Sequence, residues 1–323
     1  MDILHVIDAQ YPLHGYGGTE RVAYWLAKAQ AELGHRVRFL CRAGSALPFA
    51  ETLELPSGFS DLSPYIPEGV EMVQLYGTPR FRLDYPFLVN IGGNGKPGED
   101  YAPNTVFVSR NHAERHGWTE FVWNGVDLGD YPLRRKRGGD YALFLAKASW
   151  RVKNLAGAIA ICQEAGLPLH VAGGRAACWR RGVRSFGEVD GQKKLELLAG
   201  ARALLFPVIW DEPFGLAVVE ALASGVPVVA TPRGALPEIL SAECGVVADS
   251  HEGLCQGLAR AAGFEPEACR ARVEAKFTHI HMAQGYEEYY KRILTKGTIR
   301  EGFAKAPPNA DPERRILYQG YRK

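Results

Sequence analysis

The sequence predicts an α/β protein made of two parallel sheets, each with helices on both faces. Strand-like and helix-like segments alternate in both halves of the chain, and 323 residues are enough for two domains with separate cores. Hydrophobic residues make up 46% of the chain and charged residues 23%, which is typical of soluble globular proteins. The sequence contains no apolar run long enough to span a bilayer, which argues against a membrane-embedded fold.

The first half opens with a buried strand at residues 3–7, a glycine-bearing turn, HGYGGTE, and a helix over about 19–33. Further strands are predicted at 37–41, 70–75, 87–91, 105–108 and 121–123. The Pro- and Ser-rich stretch 43–67 predicts a loop or a short excursion. We therefore expect a first domain over residues 1–133.

A basic, glycine-containing segment at 132–140 predicts a linker, and its run 134–137 predicts a solvated surface. The next strands are predicted at 141–146, 169–172, 203–206 and 226–230, with helices after Asn154 and over about 192–199, 252–262 and 282–294. These elements predict a second domain over 141–278. Residues 279–323 are expected to form a helix and a basic tail that cross back to the first domain.

Cysteine usage and charge narrow the class of protein. The six cysteines, at positions 41, 162, 178, 244, 255 and 269, form no C-x-x-C pair and predict free thiols, not disulfides or a zinc site. The first residues, MDILHVIDAQ, lack a charged-then-apolar signal, which favours the cytoplasm.

Residues 295–323 carry seven Lys or Arg against three Asp or Glu. Such a tail is either solvated or suited to peripheral contact with an anionic membrane or polyanionic acceptor, and no nucleic-acid-binding motif accompanies it.

The most informative segment is WDEPFGLAVVEALASGVPVVATPRGALPEIL at residues 210–240. Pro213 suits the first turn of a helix, so Glu212 is expected at the mouth of a helix and Glu220 about two turns along it. The free N–H groups of residues 214–216 then face the same space. A carboxylate in so apolar a helix needs a partner. Carboxylates, amides and a helix dipole together suit a polyhydroxylated ligand.

Two other ligand classes are disfavoured. The turn HGYGGTE has Glu20 where the third glycine of a dinucleotide fingerprint would fall, and residues 41–43 offer no acidic group to a ribose. This argues against a nicotinamide cofactor, and leaves the turn as either a phosphate or acceptor cradle or a tight packing turn. Because no paired Asp-x-Asp follows a strand, no metal site is predicted.

Four features make the chain similar to the retaining glycosyltransferases of the GT-B type that carry a Glu-x7-Glu motif, the glycosyl transferases group 1. These features are the glycine turn 15–18, the turn 124–127, the pair Lys153-Asn154 and the block 212–238. The resemblance covers most of the chain and is strongest after Tyr141. It implies two Rossmann-like domains facing across a cleft, the first binding the acceptor and the second binding a nucleotide-sugar donor.

The resemblance also implies roles for individual residues. Glu212 would contact hydroxyls of the donor sugar, and Glu220 would bind the ribose of the nucleotide. Lys147 stands where an Arg is usual and would meet the leaving diphosphate; the alternative is a solvated surface Lys. The predicted catalytic residues are Glu212, Lys153 and Lys147, and the predicted donor-binding residues are Glu220, Phe214, Gly215, Leu216, Gly17, Gly18 and Arg151.

The first domain lacks the histidine that this family usually places after a mid-domain strand. Here the strand 87–91 runs into GGNGK, so Asn94 is one candidate to face the cleft, and His112 after the next strand is another. The alternatives are a turn residue for Asn94 and a core or helix-surface position for His112. The contribution of the first domain to the site stays open.

The sequence thus predicts a cytoplasmic, metal-independent hexosyltransferase without a cofactor. It would move a sugar, with retention, from a UDP- or GDP-linked donor to a hydroxyl of a glycan, a lipid-linked acceptor or a small molecule. The alternatives are a nucleotide-sugar epimerase or a sugar-phosphate synthase of the same fold, and a non-catalytic nucleotide-sugar-binding module.

Overall fold

The computed structural model describes residues 1–13, 17–95, 99–134, 139–174 and 181–300, and the backbone of 304–305. It confirms the predicted fold class, since the strands form two six-stranded parallel sheets with flanking helices. Three predictions fall wholly or partly outside the described residues: the turn 15–18 before Gly17, the basic run 134–137 after Arg134, and the tail beyond 305. Cys178 also lies outside them, and the other five cysteines are free thiols.

The described chain divides into two compact units, and the first combines residues 1–125 with residues 278–300 and 304–305. Its strands are β1 (Asp2–Val6), β2 (Arg36–Cys41), β3 (Glu51–Glu54), β4 (Met72–Leu75), β5 (Phe87–Ile91), β6 (Asp100–Tyr101), β7 (Thr105–Phe107) and, far along the chain, β14 (Ala304–Lys305). Its helices are α1 (Gly18–Glu32), α2 (Arg110–Arg115) and α9 (His279–Lys296). The large sheet has the order β3-β2-β1-β4-β5-β7, and β6 pairs with β14.

The second unit covers residues 126–277 of the described chain. Its strands are β8 (Tyr141–Leu145), β9 (Leu169–Ala172), β10 (Val183–Ser185), β11 (Ala201–Phe206), β12 (Val228–Ala230) and β13 (Gly245–Val247). Its helices are α3 (Leu155–Glu164), α4 (Gly191–Ala199), α5 (Leu216–Ala223), α6 (Leu236–Ile239), α7 (His251–Arg260) and α8 (Pro266–Lys276). The sheet order is β10-β9-β8-β11-β12-β13.

Two predictions for the first unit are wrong. The stretch 43–67 is not all loop, because β3 lies within it and pairs in parallel with β2. As an edge strand with no fully buried residue, β3 lacks the apolar pattern by which buried strands are recognised. Residues 121–123 form no strand, since Phe121 makes only an isolated bridge to Phe107.

Residues 126–133, which the sequence assigned to the first domain, group with the second unit. The N–H of Val126 donates to the carbonyl of Phe277 (3.0 Å), so the two ends of this unit are paired through the backbone. The Arg270 guanidinium on α8 holds the segment in place by donating to the carbonyl oxygens of Leu128 (3.3 Å) and Tyr131 (2.6 Å). No helix in the described part of the chain is both long and apolar enough to cross a membrane.

Buried hydrogen bonds attach α9 to the sheet of the first unit. Gln30 Nε2 on α1 donates to Tyr290 Oη (3.0 Å), and this hydroxyl donates to Gln74 Oε1 in β4 (2.7 Å). The ring of His5 in β1 extends the network, with Nε2 at 2.7 Å from Gln30 Oε1 and Nδ1 at 2.7 Å from Tyr76 Oη. Burial lowers the pKa of His5 to about 4, so its ring is neutral at pH 7.

The neutral His5 ring predicts a loss of stability in mild acid. Between the unfolded pKa of about 6.5 and the folded pKa of about 4, the unfolded chain binds a proton that the folded chain excludes. Stability should therefore be complete above pH 6.5 and fall by about 3 kcal/mol as the pH approaches 4. Urea midpoints between pH 4 and 7.5 should decline less steeply in His5→Gln than in wild type, and equal slopes would contradict the assignment.

Candidate active site

The sheet of the second unit has a topological switch point between its two central strands. From β8 the chain proceeds outward to β9 and β10, whereas from β11 it proceeds in the opposite direction to β12 and β13. Since all six strands are parallel, the loops after β8 and β11 leave the same edge of the sheet side by side. Ligands of open α/β sheets bind at such a point.

Two hydrogen bonds, one between backbone groups and one from a side chain, join these two loops. The N–H of Ile209, after β11, donates to the carbonyl of Val152, after β8 (2.9 Å), and Asn154 Nδ2 donates to the carbonyl of Pro207 (2.9 Å). Asn154 has a left-handed backbone (φ 60°) and also caps α3, where its Oδ1 accepts from the N–H of Gly157. The Lys153-Asn154 pair therefore lies at a rigid corner between the two loops.

Lys153 and Glu212 meet at this corner as a buried ion pair. Lys153 Nζ donates to Glu212 Oε2 at 2.6 Å, and the two residues are only 6% and 7% exposed. Trp210 Nε1 donates to the same oxygen at 2.7 Å, and its ring lies under Lys153 Nζ at 4.6 Å from the ring centroid. No other donor among the described residues reaches this carboxylate, so Oε1 is the oxygen that can accept from a ligand.

The backbone around Glu212 is fixed by the loop after β12. The N–H of Ala235 donates to the Glu212 carbonyl (2.9 Å), and Gly234, with φ +60°, packs directly against the Glu212 backbone. The helix does not begin at Pro213 as predicted: α5 starts at Leu216, after Gly215 turns the chain through a left-handed conformation (φ 101°). Glycine fits that turn because it has no Cβ.

Glu212 consequently lies one turn before α5, not in it. In the described part of the chain, no backbone carbonyl accepts from the N–H groups of Phe214, Gly215 or Leu216. The Phe214 side chain itself is buried, edge-on to Phe277 at 6.0 Å between centroids. Its predicted contribution is therefore that of a backbone amide.

Glu220 occupies α5 and has two donors of its own. Lys194 Nζ on α4 donates to Glu220 Oε1 at 2.8 Å, and Tyr131 Oη donates to the same oxygen at 2.6 Å. All three side chains are buried, and Lys194 Nζ also donates to Tyr131 Oη at 3.2 Å. Glu212 and Glu220 thus have separate sets of partners.

The two other predicted cations, Lys147 and Arg151, lie on the surface of the loop after β8. Lys147 Nζ lies over the Trp150 ring at 5.4 Å, and Trp150 is itself 47% exposed. Neither cation forms an ion pair with a described residue. Both are therefore available to an anionic ligand, in contrast to Lys153.

In the first unit, Gly17 and Gly18 form the start of α1, directly after the undescribed residues 14–16. Gly17 is the N-terminal cap, and α1 runs for 15 residues with unsatisfied N–H groups at this end. The loop after β5 adjoins it, because a Cβ on Gly92 would lie 3.8 Å from Thr19 Oγ1. This is the switch point of the first sheet, where β1 and β4 are neighbours.

Asn94 and His112, the two candidates from the first domain, are both buried. Asn94 Oδ1 accepts from Arg115 Nη2 (2.8 Å) and its carbonyl lies 3.0 Å from His116 Nε2, so this residue shapes the loop. His112 is fully buried, edge-on to the rings of Phe107 and His116 at 4.9 Å each. Burial, with smaller effects of His116 and Arg115, holds the pKa of His112 well below its usual range. Asn94 thus has the contacts of a residue that shapes a turn, and His112 has those of a core residue.

Three residues at these sites were not predicted from the sequence: Trp210, Tyr131 and Lys194. No periodicity marks Trp210 or Tyr131, since both lie in loops whose contacts are set by tertiary folding. Lys194 had a readable signal, because it lies three and four residues before the buried Leu197 and Leu198 on one face of α4. A lysine on a buried helical face needs an anionic partner.

Residues 141–263 match the family described as Glycosyl transferases group 1. Phosphatidyl-myo-inositol mannosyltransferase of Propionibacterium freudenreichii is 31% identical over 137 residues. That alignment covers 39% of this chain and spans only 36% of the length of the relative.

Solved structures share the fold over a larger part of the chain. AviGT4, a glycosyltransferase involved in avilamycin A biosynthesis, aligns with a TM-score of 0.74 and 25% identity, covering 91% of this chain and 98% of its own. HepE of Anabaena in complex with UDP and glucose aligns with a TM-score of 0.63 and 14% identity over 90% and 99% of the two chains. From these comparisons we conclude that residues 141–263 have the sequence features of the glycosyl transferases group 1 family and that the chain has the GT-B fold.

Proposed function

We propose that this protein transfers a sugar from a nucleoside-diphosphate donor to an acceptor hydroxyl, with retention of anomeric configuration and without a metal ion. The observation that carries the proposal is the buried Lys153–Glu212 pair at the switch point of the second sheet. A carboxylate held by a lysine and an indole N–H has a fixed orientation. Such a group suits recognition of sugar hydroxyls at defined positions.

Glu212 Oε1 would accept from hydroxyls of the donor sugar, while Oε2 stays with Lys153 and Trp210. The N–H groups of Phe214, Gly215 and Leu216 would donate to electron-rich oxygens of the same ligand. Glu220 would accept from the ribose of the nucleotide. Glu212 would thus bind the sugar of the donor and Glu220 its ribose. Each carboxylate is already hydrogen bonded to its own partners in the protein.

In the transfer, the bond between the anomeric carbon and the diphosphate breaks, a bond to the acceptor oxygen forms, and the hydroxyl proton of the acceptor passes to an oxygen of the departing diphosphate. Negative charge develops on the diphosphate, where Lys147 and Arg151 would stabilise it from the surface loop. Lys153 would add its positive charge to the same site while its ammonium group stays with Glu212. Within the first unit, the N–H groups at the start of α1, with Gly17 and Gly18, stay candidates to bind a phosphate or an acceptor group.

The donor and acceptor classes follow from chemistry and relatives. The proposed donor is a UDP- or GDP-linked hexose, and the structure of the neighbour HepE, which contains UDP and glucose, supports this choice. The mannosyltransferase from Propionibacterium is named for a lipid acceptor, so a lipid-linked hydroxyl joins glycans and small molecules as acceptor candidates. The cytoplasmic location and the membrane contact of the basic tail stay predictions.

Two assays test the proposed function. Thermal-shift screening with UDP-, GDP- and ADP-sugars should give a rise in midpoint with one base, because a ligand that binds only the folded state stabilises it. Incubation with that donor and a panel of acceptors should then release the nucleoside diphosphate. A changed sugar without any acceptor would instead favour an epimerase, and tight binding with neither transfer nor hydrolysis would favour a non-catalytic module.

Metal independence is tested separately. We expect donor turnover to be unchanged by about 10 mM EDTA and by added Mg²⁺ or Mn²⁺, because lysine, arginine and backbone N–H groups would neutralise the diphosphate. The measurement is the initial rate of nucleoside-diphosphate release after dialysis. Loss of the rate on chelation, with recovery on adding Mg²⁺, would contradict this part of the proposal.

A further inference from the structure

Glu220 lies in a helix that offers it no polar neighbour of its own. It is 6% exposed on α5, and the residues around it in the helix are Val218, Val219, Ala221 and Leu222, all fully buried. An ionised carboxylate in such surroundings is costly unless it is paired and hydrogen bonded. Its partners come from two other segments, α4 and the loop before the second sheet.

Both partners are themselves held in place. Lys194 is 7% exposed, whereas its neighbour Lys193 points to solvent and pairs with the exposed Glu196 at 3.0 Å. Tyr131 is fully buried, and its carbonyl accepts from Arg270, which also donates to the carbonyl of Ala223 at the end of α5 (2.8 Å). The backbone that carries the Tyr131 hydroxyl is thus fixed to the helix that carries Glu220.

The two donors converge on one carboxylate oxygen. Lys194 Nζ and Tyr131 Oη both contact Oε1, at 2.8 and 2.6 Å, and no donor among the described residues reaches Oε2. Two donors on one oxygen fix the side-chain torsions and leave Oε2 with its full capacity to accept. An acceptor that is to bind both hydroxyls of a vicinal pair must be held in one fixed orientation relative to them.

We propose that Lys194 and Tyr131 are positioning residues that set the Glu220 carboxylate for the ribose diol of the donor nucleotide. The inference rests on the proposed function, in which Glu220 accepts from the ribose. It adds that the selectivity for ribose over deoxyribose depends on two side chains that do not touch the ligand. Lys194 supplies the charged donor to Glu220 Oε1, and Tyr131 supplies the second contact that fixes the orientation of the carboxylate.

The test is calorimetric titration of UDP and GDP, each compared with its 2′,3′-dideoxy form. For the base that binds, wild type should prefer the ribonucleotide by about 10- to 100-fold, as expected for hydrogen bonds to a charged group. Lys194→Met should reduce the preference to about threefold or less while leaving the affinity for the dideoxy form within about twofold of wild type. The matched control Lys193→Met, one residue away and exposed, should keep the full preference.

Tyr131→Phe provides the second variant, because it removes one hydroxyl and leaves the ion pair intact. Tyr131→Phe should lower the preference for the ribonucleotide by about three- to tenfold. If Lys194→Met fails to fold, this variant is the test of the positioning role. A folded Lys194→Met or Tyr131→Phe protein with the wild-type preference overturns the positioning role alone. Absence of UDP and GDP binding by wild type overturns the proposed UDP- or GDP-linked donor, and the inference with it.

Discussion

Glu212→Gln is expected to lower turnover of the donor by about 100- to 1,000-fold at saturating substrate, the range seen when one fixed polar contact to a transition state is removed. The substitution keeps the shape of the side chain and its hydrogen bond to Lys153. It removes the negative charge that faces both Lys153 and the proposed donor sugar. The change should fall on kcat more than on KM, because the predicted contact strengthens as charge develops at the anomeric carbon.

The protein should remain folded. The amide can still accept from Lys153 and Trp210, so we expect a loss of stability on the order of 2 kcal/mol, measurable as a thermal midpoint a few degrees lower. Glu196→Gln is the matched control, since Glu196 pairs with a lysine on the surface of the same unit and should not affect turnover. Wild-type turnover in folded Glu212→Gln, assayed with the true acceptor, would disprove the assigned role.

Among substitutions of residues that are not proposed to contact the ligand, Gly234→Ala is expected to lower turnover the most. A Cβ at this position would collide with the carbonyl oxygen and the nitrogen of Glu212, both backbone atoms that cannot rotate away. The residue also has a φ of +60°, which disfavours any side chain. Relief requires the segment around Glu212 to move, so turnover should fall by at least about 100-fold, because small misplacements in an active site cost that much.

Gly166→Ala separates the collision from the backbone conformation. Gly166 has a similar φ of +64° in the same unit, but a Cβ there would meet nothing within 4 Å. It should cost about 1 kcal/mol of stability, as for a positive φ alone, and leave turnover unchanged. Equal effects of the two substitutions on turnover would show that packing against Glu212 is not the cause.

Regular alternation made the sheets predictable from the sequence. The buried strands are short apolar runs bounded by turn residues, α1 has a helical period, and β5 and β9 were predicted at their observed bounds. The short strands β10 and β13, of three residues each, have too few positions to show a period. The edge strand β3 was missed because it is not buried enough to be apolar.

The candidate site was predictable to the extent that its residues lie in a local motif. Glu212, Glu220 and Lys153 stand out by residue type and spacing, and the structure brings Lys153 to Glu212. The partners of Glu220 could not be paired with it from the sequence, because Tyr131 and Lys194 lie 89 and 26 residues away from it along the chain. Burial of Asn94 and His112 likewise depends on packing between α2 and the loop after β5, which no local pattern encodes.

The connection between α1 and α9 has a consequence for how the chain is made. Residues 126–277 form one continuous stretch, whereas the first unit is assembled from segments on both sides of it. A ribosome therefore releases the whole second unit before Tyr290 emerges to meet Gln30 and Gln74. Until then, the face of α1 that contacts α9 in the folded first unit stays uncovered. The second unit, in contrast, can complete its core during synthesis. In topological terms, the second unit is an insertion between two parts of the first.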